Sequence, residues 1–407
     1  MTDPVLERVL AASSRAGLFR TWHRHRRQLQ GYRMMLSAPG IPNQPVPTRL
    51  DLPDGGFLRG LFPHDHLLYV DNRLMWQSRL PWGARIAQDY SITFDTQVVR
   101  YLALAIQNST NPMATKVKSA LFTLSRAGWN WDFFAYIEEN ADRMNRAEVY
   151  ANRKFHDNVR AVEIVKDLDE RHFLATGLMR ARSNDRQIAE RVEAALTYVE
   201  RRPEPLKQFY RQNQRVMYAV LLAITRIQLS GPRRPAREKL LDLLTFFHDD
   251  LHTLMARELA YAAVFFTSGQ QLAFFGRVQR ARADLLTILN NMAWDLLIAR
   301  RLEQYIGAGA QNGRFYVPFL LTFDRDLVAL MDAYSLRGAL ILPTGSAVGL
   351  PASDLGSLFE SHGLTLEDLQ PFVSTEARGD RRDRHASNPP DLEALIHSLE
   401  RQIAQLK

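Results

Sequence analysis

Cysteine is absent from the 407 residues, which excludes disulfide bonds, thiolate metal ligands and a cysteine nucleophile. Long apolar runs are absent too: residues 218–224 and 259–266 are far shorter than the ~20 apolar residues of a membrane-spanning helix. The start of the chain lacks a secretory signal pattern, because Arg8, Arg15 and Arg20 interrupt any apolar core. These absences predict a cytoplasmic protein that does not contact a membrane.

Negative charge is in deficit, and the formal net charge is +8. A basic chain favours a polyanionic partner, although a solvated arginine-rich surface explains the same charge equally well. Basic stretches lie at 20–27, 201–215 and 277–282. The candidate nucleic-acid-binding residues in and around them are Arg24, Arg26, Arg27, Arg211, Arg277 and Arg280.

Strand signals fall into two groups that lie far apart in the chain. The first group contains 66–71 and the alternating segment 90–95, and the second contains 315–323 and 338–342. Apolar residues between the two groups recur at helical spacing. The pattern predicts an α/β fold with predominantly helical content: a small parallel sheet flanked by helices, with a large all-α insertion over 106–249.

The two ends of the chain differ from this middle part. Residues 1–60 predict a basic N-terminal helix followed by a Pro/Gly-rich loop, and the charged segment 375–390 predicts a disordered linker. Residues 391–407 predict a helix with a heptad seam. The seam residues are Leu392, Ile396, Leu399, Ile403 and Leu406. Such a helix either pairs with a second copy or an inhibitory protein, or packs on its own domain.

Two aspartates follow predicted strands directly. Asp95 ends the segment 90–95, and Asp324 follows the segment 315–323. In open parallel sheets the ends of the strands line the functional crevice, so an acid there is well placed for chemistry. The two carboxylates can meet if their strands are neighbours in one sheet.

Two further acids lie on apolar helix faces. Glu258 shares a stripe with Leu254 and Tyr261, and Asp295 shares one with Met292. A buried carboxylate without a partner costs several kcal/mol, on the order of the penalty for one ion. An arginine partner would satisfy each acid taken singly. Two strand-end acids and two inward-facing acids together favour a shared cation, and carboxylate oxygens suit Mg²⁺ or Mn²⁺.

The ordered set of four acids resembles the motifs of PIN-domain nucleases. The matching segments are SITFDTQV at 91–98, MARELAYA at 255–262, NMAWDLLIA at 291–299 and LTFDRDL at 321–327. The resemblance covers 66–105 and 250–345, under half of the chain. It implies a PIN-like nuclease core over 61–105 and 250–350.

The resemblance also implies an activity and a site. The activity is metal-dependent endonucleolytic hydrolysis of phosphodiester bonds, with RNA favoured over DNA and a role as a toxin or defence effector. The implied catalytic residues are Asp95, Glu258, Asp295 and Asp324, and the implied Mg²⁺ or Mn²⁺ ligands add Glu139 and Asp326 to these four. The long insertion departs from the family, and either Glu138 or Glu139 has the usual spacing of the second acid, so that position stays open between them and Glu258.

Other interpretations compete with this site. His248 and His252 have a helical spacing that can bind zinc, but no third ligand is evident. Asp71 also ends a strand-like run and rivals Asp95 as the first ligand. The alternative function is that of a non-catalytic helical protein that binds RNA or another protein, with the acids serving as structural ion pairs.

Overall fold

The protein is described by a computed structural model over residues 4–10, 15–77, 86–124, 130–141, 151–268, 272–279, 282–307 and 315–406. Its strands are β1 (Arg33–Ala38), β2 (Arg49–Asp51), β3 (Phe57–Gly60), β4 (His66–Val70), β5 (Gln88–Phe94), β6 (Trp131–Asp132), β7 (Phe315–Thr322), β8 (Leu336–Ile341) and β9 (Ala347–Pro351). No helix within these ranges has the length and apolar character needed to cross a membrane.

Helices make up most of the chain. They are α1 (Pro4–Leu10), α2 (Arg15–Arg24), α3 (Asn72–Gln77), α4 (Thr96–Ile106), α5 (Pro112–Leu124), α6 (Phe134–Ala141), α7 (Arg153–Lys166), α8 (Glu170–Thr176), α9 (Asp185–Glu200), α10 (Glu204–Ser230), α11 (Ala236–Thr245), α12 (Ala256–Ser268), α13 (Leu285–Tyr305), α14 (Arg325–Ala333), α15 (Leu355–Ser361), α16 (Leu366–Val373), α17 (Thr375–Ser387) and α18 (Leu392–Gln405). Pro53–Gly55 and Ala273–Val278 form 3₁₀ turns, and Phe246–Asp250 forms a π-helical turn.

The strands form two sheets. A mixed sheet has the order β2-β3-β7-β5-β6, in which β5 runs parallel to both β6 and β7 while β2 and β3 join antiparallel. An antiparallel sheet has the order β4-β1-β8-β9. The α/β class is therefore confirmed. The expected parallel sheet is present only as three strands within the mixed sheet.

Three apolar cores hold these elements. The first lies around the mixed sheet and includes side chains from α4 to α9, and the second joins α10–α13 with α15, α16 and α18. A third covers the outer face of the antiparallel sheet with Trp22 and its neighbours. The described residues within 106–249 are therefore divided between the first and second cores, and they share no core of their own.

The N-terminal 60 residues differ from their prediction as helix and loop. They contain β1, β2 and β3, and each of the two sheets uses at least one of them. Arg33–Ala38 pairs with β8 near the other end of the chain, and Phe57–Gly60 pairs with β7. Short strands of this kind are fixed by distant partners, which the local Pro/Gly-rich composition does not reveal.

The prediction of a disordered linker over 375–390 is wrong, because Thr375–Ser387 is a helix. The Ser374 side chain caps its first turn by accepting the backbone N–H of Ala377. Arg381 lies buried and donates to the backbone carbonyl of Phe372 and to Nδ1 of His248. These partners order a charged segment that has almost no apolar residues.

The heptad seam of the last helix is covered within the chain. Ile396, Leu399 and Ile403 are buried in the second core, and α18 packs along α10. The hydroxyl of Tyr218 on α10 donates to Glu400 Oε1 at 2.8 Å. Of the two alternatives for this helix, the structure has the one in which it packs on its own domain.

We expect Ile396→Ala to lower the free energy of unfolding by about 2–4 kcal/mol, because it leaves a cavity in a closed core. The matched control is Leu406→Ala at the exposed end of the same helix, which should cost less than about 0.5 kcal/mol. Chemical denaturation of the two variants gives the comparison. Equal effects would show that the seam is not packed as described.

Candidate active site

The ends of β5 and β7 lie side by side. The two strands pair in parallel with Phe94 opposite Leu321, and the Asp95 N–H donates to the Leu321 carbonyl at 3.0 Å. Asp95 therefore lies beside Thr322 at the carboxyl edge of the sheet, and Asp324 lies two residues further on. The strands that precede Asp95 and Asp324 are therefore neighbours in one sheet, which was the condition for the two acids to meet.

Thr322 connects the two aspartates. Its hydroxyl donates to Asp95 Oδ2 at 2.8 Å and accepts the backbone N–H of Asp324 at 3.0 Å. Asp324 caps α14, since its Oδ1 accepts the N–H groups of Asp326 (2.8 Å) and Leu327 (3.2 Å). Asp324 is thereby held by bonds within its own segment, whereas Asp95 is held by a hydroxyl from the neighbouring strand.

Two acids from helices complete the group. Asp295 projects from α13, and its charge acts on those of Asp95, Asp324 and Glu139. Within the described ranges no donor is hydrogen-bonded to the Asp295 carboxylate. Glu139 on α6 accepts the Thr96 hydroxyl at 2.5 Å. Asp95, Glu139, Asp295 and Asp324 are called the carboxylate cluster below.

The surroundings of Asp95 and Asp295 disfavour the ionised form of both side chains. Burial raises the pKa of Asp95 to about 6; the charges of Glu139 and Asp324 add to this rise, and the bond from Thr322 opposes it. Burial also raises the pKa of Asp295 well above its usual range, with Asp95, Asp324 and Glu139 adding to the effect and Arg277 opposing it. A proton or a cation that neutralises these carboxylates would relieve the cost of burying their charge.

The other predicted acids have arginine partners. Arg300 binds both oxygens of Glu258, with Nε donating to Oε1 at 2.7 Å. Arg301 binds both oxygens of Glu138 at 2.7 and 2.8 Å. The structural ion-pair interpretation therefore describes Glu258 and Glu138. Among the three candidates for the second acid, Glu139 is the one that the structure brings to Asp95.

Asp326 and Arg277 lie at the border of the cluster. Arg277 Nη2 is 3.2 Å from Asp326 Oδ2, and its side chain is about half exposed. Because Arg277 also lowers the pKa of Asp295, this predicted nucleic-acid-binding residue lies close to the acids. Asp326 is therefore paired with the side chain of Arg277.

The remaining candidate arginines show no contact with the cluster in the described part of the chain. Arg24, Arg26 and Arg27 are exposed at and just after the end of α2, and Arg211 is exposed on α10. Arg280 lies outside the described residues.

The competing sites are located elsewhere. Asp71 ends β4 in the antiparallel sheet and caps α3 through the Leu74 N–H at 2.6 Å. His248 contacts Arg381 and lies 3.6 Å from Asp380 on α17. His252 follows the π-helical turn in a left-handed conformation, with φ of 50°. Neither histidine shares a metal-binding group with other described side chains.

The four acids of the cluster offer donors of one kind only. The donors are carboxylate oxygens, which Mg²⁺ and Mn²⁺ prefer. The side chains as placed are not a finished coordination group, because within the described ranges no three His, Asp or Glu side chains lie close enough to hold one ion.

The residues that the sequence did not single out are the hydroxyl donors. Thr322 and Thr96 each bond to a cluster carboxylate. Thr322 is the last residue of β7, and Thr96 begins α4 directly after Asp95. Thr322 stands within the segment 321–327, so the signal was a hydroxyl residue two positions before an acid at a strand end. The bond from Thr322 to Asp95 could not be predicted from the sequence, because it depends on the pairing of β5 with β7.

Comparison with known proteins adds no relative to this picture: no protein family, no curated protein and no solved structure matches the chain. The similarity to PIN-domain nucleases consequently rests on the four acids and their segments alone.

We expect Asp295→Asn to raise the melting temperature by a few degrees at pH 7.5. The raised pKa means that the ionised carboxyl is disfavoured in the folded state, so removing the charge relieves a cost that is present at high pH. The gain should shrink as the pH falls and Asp295 becomes protonated. Thermal unfolding in a chelator at pH 7.5 and pH 4.5 measures both values.

The matched comparison is Glu258→Gln, which breaks a buried ion pair. It leaves Arg300 without its partner, so it should lower the free energy of unfolding at pH 7.5 by about 2–3 kcal/mol. If Asp295→Asn were destabilising like Glu258→Gln, the carboxylate of Asp295 would be a structural one.

Proposed function

We propose that the chain is a metal-dependent nuclease that hydrolyses phosphodiester bonds at the carboxylate cluster. One observation carries the proposal: Glu138 and Glu258 are each paired with an arginine, whereas no arginine or lysine in the described part of the chain forms an ion pair with Asp95, Asp295 or Asp324, and burial together with neighbouring acids raises the pKa of Asp95 and of Asp295. Retaining such a group costs stability, and a function that requires its charge gives a reason for it.

The PIN-like character of the site is part of the proposal. The first and last acids follow two adjacent parallel strands, and the third lies on the helix α13. Glu139 takes the place of the second acid, at the spacing that the resemblance favours. RNA is the preferred substrate on that resemblance, and a toxin or defence role remains an expectation of the same kind.

The chemistry needs a bound Mg²⁺ or Mn²⁺, which supplies an activated water and neutralises charge on the phosphate. The residues that would hold it are Asp95, Glu139, Asp295 and Asp324. Thr322 orients the Asp95 carboxylate, and the cap of α14 fixes Asp324. Arg277 is positioned to attract a phosphate group to the rim of the cluster.

We expect the wild-type protein to cleave single-stranded RNA in Mn²⁺ or Mg²⁺ and to lose this activity in a chelator. Asp295→Asn should reduce cleavage by at least about a hundredfold, since it removes a charge that acts on the cation directly. Arg337→Gln, on the exposed face of β8, is the surface control and should cleave normally. Wild-type protein that cleaves neither RNA nor DNA in any divalent cation would refute the proposal and favour the non-catalytic alternative.

Cation binding should depend on pH through Asp95. Its pKa of about 6 means that the carboxylate is protonated below that pH and no longer available as a ligand. We expect Mn²⁺ to raise the melting temperature at pH 7.5, through binding to the folded state, and to lose this effect as the pH falls through about 6. A Mn²⁺ effect that is unchanged in Asp295→Asn would place the ion elsewhere.

A further inference from the structure

The helix α17 has a composition that is typical of disordered segments. Most of its residues are charged or polar, and its apolar side chains are the two alanines Ala377 and Ala386. Gly379 lies in its middle, and glycine is a poor helix former. A helix of 13 residues is marginal in water even with a better sequence. The segment therefore needs contacts with the rest of the protein to remain helical.

Arg381 provides a buried contact of this kind. Its side chain is 7% exposed, and Nη1 donates to Nδ1 of His248 at 3.1 Å and to the backbone carbonyl of Phe372. His248 lies in the π-helical turn, 133 residues earlier in the chain. The Phe372 ring of α16 stands edge-on to the imidazole, with 5.8 Å between the ring centroids. The bond from Arg381 to His248 thus connects α17 to a distant part of the fold.

This bond requires one protonation state of His248. A guanidinium group has only donors and keeps its proton in proteins, so Nδ1 of His248 must offer a lone pair. The neutral imidazole with its hydrogen on Nε2 does so. A protonated imidazole carries hydrogen on both nitrogens, and its Nδ1–H would point at an N–H of Arg381.

Four charged groups surround the imidazole. Nε2 of His248 lies 3.6 Å from Asp380 Oδ2 and 3.9 Å from Asp249 Oδ1. Arg384 approaches the same two acids, at 2.8 and 3.4 Å, so it shares their charge with the histidine. Burial lowers the pKa of His248; Arg384 and Arg381 add to this effect, and Asp249 and Asp380 oppose it. The surroundings therefore favour the neutral ring.

We propose that His248 is a pH-sensitive switch, which holds α17 in place when it is neutral and releases it when it is protonated. Protonation removes the acceptor of Arg381 and adds a third cation beside two arginines. Because α17 cannot remain helical without its contacts, release is a local unfolding of 375–387, while α16 and α18 stay in the second core. The switch does not depend on the proposed nuclease activity.

The direction of the pH effect follows from the two forms of the segment. His248 has a lowered pKa while α17 is in place, and after release it has the ordinary histidine pKa of ~6.5. The contact is therefore at full strength above about pH 6.5 and weakens as the pH falls. The equilibrium between the two forms changes by up to about tenfold per pH unit in this range.

Hydrogen–deuterium exchange of the full chain measures such a local unfolding. Peptides that cover 375–387 are compared at pH 7.5, 6.5 and 5.5 as protection factors, which correct for the pH dependence of the exchange chemistry. We expect the protection of α17 to fall by up to about tenfold between pH 6.5 and 5.5. Peptides from α18 are the internal reference, because the buried seam of that helix should keep its protection.

His248→Asn tests the acceptor itself. The side-chain carbonyl of asparagine accepts a hydrogen bond at every pH, since an amide does not titrate in this range. We expect α17 in this variant to be protected at pH 7.5 and to remain so at pH 5.5. The matched control is His385→Asn, which removes an exposed histidine of α17 and should leave the wild-type pH response unchanged.

Gly379→Ala strengthens the helix without changing the switch. No atom of the described residues lies within 4 Å of a Cβ at this position, so the protection should rise about fivefold at each pH and show the same decline. If asparagine does not replace the ring and His248→Asn leaves α17 unprotected, the double variant with Gly379→Ala raises the protection enough to measure its pH dependence. The switch requires that dependence to be absent.

Equal protection of α17 at pH 7.5 and 5.5 in the wild type would overturn the proposal. A decline in His248→Asn that matches the wild type would do the same, as would loss of the decline in His385→Asn. A parallel decline in the α18 peptides would show general unfolding of the second core in acid, which also refutes the switch.

Discussion

The parallel pairing of β5 with β7 is the constraint on which the candidate site depends. It joins Phe94 to Leu321 across more than half of the chain and fixes the register at which both strands end. Everything at the carboxyl edge follows from this register. Asp95 lies beside Thr322, the Thr322 hydroxyl reaches both aspartates, and α4 and α14 leave the sheet next to each other.

The distribution of arginines separates two kinds of buried acid. Both carboxylate oxygens of Glu258 are bound by Arg300, and both of Glu138 by Arg301. The two arginines are consecutive residues of α13. Asp295, one and a half turns earlier on the same helix, has no such partner in the described part of the chain. The helix α13 therefore supplies an arginine to each of two acids, Glu258 and Glu138. It also supplies the Asp295 carboxylate to the other three acids of the cluster. This difference in pairing, and not burial alone, is the observation on which the proposed function rests.

Arg301 on the same helix has a second role in packing. Arg301 serves Glu138 with its nitrogen atoms and supports the Phe209 and Tyr210 rings with its flat face. The ion pair with Glu138 therefore also fixes the guanidinium group against these two rings.

The sequence by itself determined the α/β class, the places of β4, β5 and β7, the long helical stretch between them and the positions of Asp95, Asp295 and Asp324. These are local properties, because strand alternation, helical spacing and an acid in an apolar stripe are all visible within a few residues. The N-terminal strands, the helix at Thr375–Ser387 and the burial of the Ile396 seam were decided by tertiary structure. Their partners lie far away in the chain. The choice among Glu258, Glu138 and Glu139 was of the same kind: only the folded chain shows which acid meets an arginine and which meets Asp95.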